Sequence, residues 1–180
     1  MAVQSASQLV DIMEEQVESH LTDAVKKFQN LPAEVLLKSA SNGGWSVAQC
    51  LWHLNSYGDY YLPKIKSGLT KNYPANPHFK STWLGSYFTR IMKPGPQMKK
   101  FNAFKSHLPP VEMDPHKIVA EFILQQEQLL DYLKQARQTD LNKIRIPISI
   151  LKWVRLRLGD VFQFIVAHNE RHLQQAKRNI

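Results

Sequence analysis

The sequence is poor in cysteine and, over one long stretch, has no acid at all. Its single cysteine, Cys50, excludes an internal disulfide framework and suits a reducing compartment, which makes the cytoplasm the expected address. No segment approaches the roughly 18 uncharged apolar residues that a membrane span requires. The first residues, MAVQSASQLVDIMEEQVESH, also lack a basic leader followed by an apolar run, so neither a membrane partner nor export is expected. From Tyr60 to Val111 there is no Asp or Glu, while nine bases fall there: Lys64, Lys66, Lys71, Lys80, Arg90, Lys93, Lys99, Lys100 and Lys105. The formal net charge of +8 belongs to that segment, since the rest of the chain is nearly balanced.

A basic excess of this size raises the question of nucleic acid, and Trp83, Tyr87 and Phe88 lie nearby. Against it, the bases are scattered among prolines instead of lined along one helix, and no reader motif is present. A nucleic-acid partner is not expected.

What the chain does have is enough apolar sequence, 43% of its 180 residues, for one domain over 1–180 with a real core. Four stretches carry helical periodicity. The first runs from about Ser7 to Gln29, with Leu9, Met13, Val17, Leu21, Ala24, Val25 and Phe28 at steps of three and four. The second opens at GGWSVAQC: Ser46 is a good N-cap, Gln49 completes a capping box, and Trp45 with Cys50 occupies the staple positions. It runs toward Gly68, with Pro63 expected to end or kink it early. The third spans about Pro115 to Gln138, and the fourth starts near Gly159, with Asp160 as the expected cap.

Between the second and third helices lie about 45 residues containing six prolines, among them Pro96, and this crossover is expected to carry a short helix around Thr82 to Met92. The connection from Ile144 to Leu158 reads as extended first and then as a short helix. Four long helices without a convincing sheet indicate an all-α four-helix bundle with a long crossover between helices 2 and 3.

Three of the seven histidines sit on apolar stripes at useful spacing. On the fourth helix Val161, Ile165, His168, His172 and Gln175 follow one another at steps of three and four, so two imidazoles lie one above the other. On the second helix, His53 follows Cys50 by three residues and precedes Tyr57 by four. If the two helices face each other, three imidazoles converge, a donor set suited to Zn²⁺, Ni²⁺, Cu²⁺ or Fe²⁺ with an open coordination position. The alternative is a set of packed, hydrogen-bonded core histidines. A zinc-protease reading fails, because the residue after the first histidine is Asn169, where a glutamate base would be needed.

Cys50 could add a ligand but reads more simply as a small core residue against Trp45. His20, on the inner side of the first helix, is another candidate ligand, while Tyr57, Tyr61 and Gln174 are candidate supporting or substrate contacts. His78, His107 and His116 read as solvated, and Glu170 and Arg171 as part of a solvated face.

GWSVAQCLWHL and FIVAHNERHLQQ, in this order and separated by a little over a hundred residues, resemble the DinB/YfiT-like superfamily of metalloenzymes. The likeness covers nearly the whole chain, and KPGPQMKKFNAF is similar to a Lys/Pro-rich stretch in one branch of it. The resemblance implies an up-down-down-up bundle, a homodimer, and a divalent metal held by His53, His168 and His172. It also implies metal-dependent transfer of a low-molecular-weight thiol, thiol-dependent isomerisation, or hydrolysis of a small-molecule substrate. A metal-binding protein without turnover, with a stress-related role, is the competing expectation. A closed shell that used Cys50 would favour it. The acid-free segment is expected to fold over the open end of the site and attract an anionic thiol cofactor.

Overall fold

Short polar residues set where the helices begin. In the computed structural model, which describes residues 3–41, 43–71, 73–95 and 102–180, Ser5 caps α1 (Ala6–Asp23) by accepting the Gln8 N–H at 3.3 Å. Pro96, Lys99, Lys100 and part of the KPGPQMKKFNAF stretch lie outside the described residues. Beyond α1 the chain continues as a π turn over Ala24–Phe28 and then the short α2 (Ala33–Leu37). Val25, expected inside, is 40% exposed, because the widened turn breaks the inward stripe that Ala24 and Phe28 keep.

Ser46 Oγ accepts the Gln49 N–H at 3.2 Å and Gln49 Oε1 accepts the Ser46 N–H at 2.9 Å, so α3 (Val47–Leu69) starts in the expected capping box. Pro63 neither ends nor interrupts it. Tyr61, Leu62 and Ile65 are buried on both sides of the proline, and the Lys64 ammonium donates to the Tyr60 carbonyl at 3.0 Å. Tertiary burial here outweighs the local cost of the ring.

The crossover that follows is draped over the bundle. It forms β2 (His78–Phe79), which pairs antiparallel with β1 (Gln4–Ser5), then the expected short helix α4 (Trp83–Met92), which Thr82 caps. A 3₁₀ turn at Lys105–His107 precedes α5 (Pro115–Ala136), where Asp114 accepts the His116 and Lys117 N–H groups and Pro115 occupies the first turn.

The connection to the last helix is a hairpin, with no short helix in it: β3 (Arg145–Pro147) pairs antiparallel with β4 (Arg155–Arg157), Ile146 opposite Leu156. Burial of Ile144, Ile146 and Ile148 follows the two-residue period of a strand, and this decides the matter against a helix. Trp153 near its tip is 78% exposed. α6 (Leu158–Lys177) follows directly, and Asp160 does not cap it. That carboxylate is fully buried and turns to α4, where its Oδ2 accepts from the Thr82 N–H at 3.1 Å and the Thr82 hydroxyl at 2.8 Å. The close approach requires Gly85, where an added Cβ would lie 2.1 Å from the Asp160 carboxyl carbon.

The four long helices α1, α3, α5 and α6 form the bundle. Each of α1 and α3 packs on both α5 and α6. Cross-helix contacts give the directions. Arg137, just past α5, pairs with Asp11 and Glu14 early in α1, so those two helices run antiparallel. Asn55 reaches the Ile118 carbonyl and Gln125 reaches Asp59, so α3 and α5 run parallel. Asn179 donates to the Trp45 carbonyl while Tyr61 meets Phe164, so α3 and α6 run antiparallel. His20 meets Glu170 and Asp23 meets Lys177, so α1 and α6 run parallel.

The apolar interior is divided into two clusters. One joins Met13, Val17, Ile65, Leu133, Phe162 and their neighbours; the other joins Phe28, Leu51, Leu54, Phe122, Leu173 and theirs. Along α3 the boundary falls around Leu54 to Tyr57, and along α6 between Val166 and Leu173. The stripe histidines occupy that gap. No helix among the described residues is long and apolar enough to cross a membrane.

Candidate metal centre

Because α3 and α6 run antiparallel, residues three and four apart on each face the same point. His53 of α3 and His168 and His172 of α6 meet there, their ring centroids 4.7–5.0 Å apart in a nearly equilateral triangle. One ligand nitrogen from each lies within 4.8 Å of the other two, and His53 Nε2 is 3.2 Å from His168 Nε2. An ion with metal–nitrogen distances of about 2.0–2.1 Å and tetrahedral angles requires nitrogens about 3.3 Å apart. The separation of His53 and His168 fits that requirement.

Hydrogen bonds on the far side of two rings fix which nitrogen faces the gap. His53 Nδ1 is 2.7 Å from the His107 carbonyl, which can only accept, so Nδ1 carries the proton and Nε2 presents its lone pair. His172 Nδ1 donates to Gln175 Oε1 at 3.1 Å, and its Nε2 is likewise left with a lone pair. Burial keeps the rings neutral. It is the main cause that pushes His53 down to about 4 and His172 to about 3, and it holds His168 well below the usual imidazole value, with the neighbouring imidazoles adding to the effect. Two neutral imidazoles that present lone pairs to the gap, with the His168 Nε2 3.2 Å from that of His53, form a donor set that suits a divalent cation.

The rings open onto a cavity of about 1000 Å³. Trp45 closes one side, its ring 4.9 Å from His53 and 5.8 Å from His172; Tyr57 and Phe164 close another, 4.5 and 5.6 Å from His168. Tyr61 lines it too, its hydroxyl accepting the Ser149 N–H at 3.2 Å. Burial, then Tyr61, pushes the Tyr57 phenol up to about 12, so it is a hydroxyl donor and not a base near neutrality. The crossover supplies the outer wall through Phe88, Ile91 and Phe104. Its lysines are not among the described lining residues; the cations of the lining are Arg171 and Arg178.

The other candidates lie elsewhere. Cys50 is fully buried in the second apolar cluster with Trp45 packed against it, outside the imidazole group, and burial pushes its thiol up to about 12. His20, also buried, donates through Nε2 to Glu170 Oε2 at 2.9 Å on the opposite side of α6. Gln174 bonds to that same Glu170 at 2.7 Å and does not line the cavity. Glu170 is thus engaged between helices and is not simply solvated.

Two more residues were read as solvated and are not. His107 is 5% exposed: its 3₁₀ turn docks on α3, its ring stacks on Tyr57 at 3.9 Å, and its Nδ1 donates to Ser56 Oγ at 2.8 Å, which in turn donates to the His53 carbonyl. A histidine in a proline-rich crossover carries no periodic signal that could have revealed this. Arg171 is 9% exposed and donates through Nη1 to the Ile91 carbonyl of α4 at 3.1 Å. Its spacing of three from His168 was the available sign that it leans toward the same side.

The comparisons concern the family and the fold. The family model described as the DinB superfamily matches residues 16–176. Among solved structures, YfiT from Bacillus subtilis, described as a probable metal-dependent hydrolase with an unusual four-helix bundle topology, matches with a TM-score of 0.53 and 17% identity. The match covers 97% of this chain and 85% of that one. No curated protein matches the sequence.

Proposed function

The chain belongs to the DinB superfamily, and from that premise we propose that it is a divalent-metal-dependent enzyme acting on a small molecule, with His53, His168 and His172 as ligands. One observation carries the reading: three neutral imidazoles each bring a ligand nitrogen to one point on the edge of a cavity of about 1000 Å³, so a bound ion would keep a coordination position open to a substrate. Cys50 is packed away from that point, which counts against a closed, purely structural shell. When present, a divalent ion supplies Lewis acidity and lowers the pKa of a water or thiol beside it.

The chain's own residues do the rest. The His107 carbonyl and Gln175 orient two ligand rings, Trp45 and Phe164 hold their faces and keep bulk water off, and the Tyr57 hydroxyl can donate to a developing oxyanion. Two nucleophiles fit. Water makes the enzyme a hydrolase, the activity named for YfiT. A low-molecular-weight thiol makes it an S-transferase, and the lining supports this: no Asp or Glu lies among the described lining residues to serve as a base, and a thiol, with a pKa near 8.5, needs one less than water does. A homodimer in the cytoplasm is part of the same proposal, the first from the family resemblance and the second from the lone reduced thiol of Cys50.

Metal analysis of the purified, reloaded protein beside His172→Ala tests the ligand set. About one zinc, nickel or iron per wild-type chain and none in the variant is the expected result. Two equally metal-free proteins would remove the catalytic reading. With metal established, paired assays of ester hydrolysis and of thiol conjugation to an electrophile separate the two nucleophiles.

A further inference from the structure

We propose that this cavity takes an amphiphile, its polar, reacting head at the three imidazoles and its apolar tail laid along a track of aromatic rings that ends in solvent at Trp83. The inference rests on the cavity being the reaction site. From His168 the rings follow one another without a break: Phe164 at 5.6 Å, then Phe88 at 6.3 Å, Tyr87 at 5.7 Å and Trp83 at 5.9 Å, centroid to centroid. Phe164, Phe88 and Tyr87 line the cavity. Exposure rises along the track, from 8% at Phe164 to 37% at Tyr87 and 73% at Trp83. Rings retained only for packing close on one another in a core, whereas these follow a cavity wall and stop in water.

The direction of the track separates head from tail. Gly85 lies against Asp160, Phe88 meets Phe164 and Arg171 reaches the Ile91 carbonyl, so α4 and α6 run side by side in the same direction. The track therefore leads from His168 toward the start of α6, while Arg171 and Arg178 lie beyond His168 the other way. They are the only Lys or Arg among the described lining residues, and no Asp or Glu is found there. Tyr61, whose ring is 6.0 Å from Phe164, continues the apolar surface to Ile148 and Ile150 of the hairpin segment, and the tip just past Ile150 exposes Leu151 and Trp153. A tail between α4 and the hairpin is thus removed from water against uncharged walls, and the nitrogens that suit a polar head stand at the inner end. A cavity of about 1000 Å³ has room for both parts.

The straight-chain alcohols 1-hexanol, 1-octanol and 1-decanol are the probes, titrated calorimetrically into metal-free full-length protein. Affinity is expected to rise about fourfold per added methylene, at one molecule per chain. Phe88→Ser should weaken 1-decanol about tenfold or more, and Leu124→Ser, on the exposed face of α5, should leave it unchanged. 10-Bromodecan-1-ol, whose bromine quenches indoles close to it, should remove emission from wild type that Trp83→Phe does not have to lose. Affinity that does not depend on chain length overturns the proposal, and the wild-type series needs no variant to fold. Unchanged 1-decanol affinity in Phe88→Ser, or bromine quenching as large in Trp83→Phe as in wild type, also overturns it by placing the tail elsewhere. Because every arm is metal-free, failure of zinc to bind would sink the metalloenzyme reading while leaving this one standing, and the converse holds too.

Discussion

Near its start α6 buries Asp160, and further along it buries His168 and half-buries His172 on the face toward α3. Asp160 is met by donors: the Thr82 N–H and hydroxyl both point at its Oδ2, and Gly85 leaves room for the carboxylate. The histidines are met by one another, with nitrogen facing nitrogen across 3.2 Å between His53 and His168. A folded chain normally pairs its buried polar groups, as it does here for Asp160 Oδ2. Where it brings three imidazole nitrogens to one point beside a cavity instead, a partner that the chain does not encode fits between them. The two ends of one helix thus separate a polar group retained for the fold from polar groups retained for a ligand.

The largest effect should come from exchanging alanine for the key residue at each end. Asp160→Ala strands the Thr82 donors against α6 and is expected to cost about 3 kcal/mol, roughly 10 °C in Tm for a chain of this length, with metal stoichiometry unchanged in the protein that remains folded. His168→Ala should do the opposite, abolishing metal binding while moving the Tm of the metal-free protein by only a few degrees. Calorimetric melts and metal analysis on both variants check the contrast. If His168→Ala proves as destabilising in the metal-free state as Asp160→Ala, the imidazole cluster is core packing and the comparison collapses.

How far the sequence shows these two regions differs for physical reasons. Periodicity reports which face of a helix is buried, so the four long helices and the convergence of His53, His168 and His172 can be read directly from spacing. It reports nothing about what a buried polar atom will meet. Asp160 therefore reads as a local cap when its partner is Thr82, 78 residues away in the crossover. Pro63 carries a strong local signal that burial of its neighbours overrides, and Ile144 to Ile148 carries a two-residue alternation that becomes decisive only once a partner strand is seen. His107 and Arg171 are hidden because one lies on an irregular segment and the other on the edge of a stripe. Each takes its role from a contact between segments distant in sequence.

A smaller effect tests how the ligand rings are held. Gln175 accepts the His172 Nδ1 proton, whereas Asp160 has no imidazole to orient. Gln175→Leu, similar in size and without an acceptor, is expected to weaken metal affinity about 10- to 100-fold while leaving stoichiometry at saturation and Tm nearly unchanged. Competition with a chromophoric chelator gives the affinity. Unchanged affinity would mean that packing by Trp45 alone orients the ring.

The smallest effect lies at the solvent-facing end of the same helix, where α6 meets α1. Asp23 accepts from Lys177 at 2.6 Å and from Lys27 at 2.8 Å, and of the two lysines Lys27 is exposed and Lys177 partly so. Burial by itself raises the Asp23 carboxyl, but the two lysines outweigh it and hold the group below its ordinary value of 3.8. A carboxyl depressed in the folded state contributes stability above its unfolded pKa and loses that contribution as pH falls through the folded one. Asp23→Asn should therefore cost about 0.5 kcal/mol at pH 7, since exposed pairs are weak, and the difference from wild type should shrink steadily below about pH 4. Melts at pH 7 and pH 3 in low salt measure it. A gap that persists at pH 3 would show that Asp23 acts through packing, and a gap at pH 7 as large as that of Asp160→Ala would mean that burial does not distinguish the structural carboxylates of this bundle.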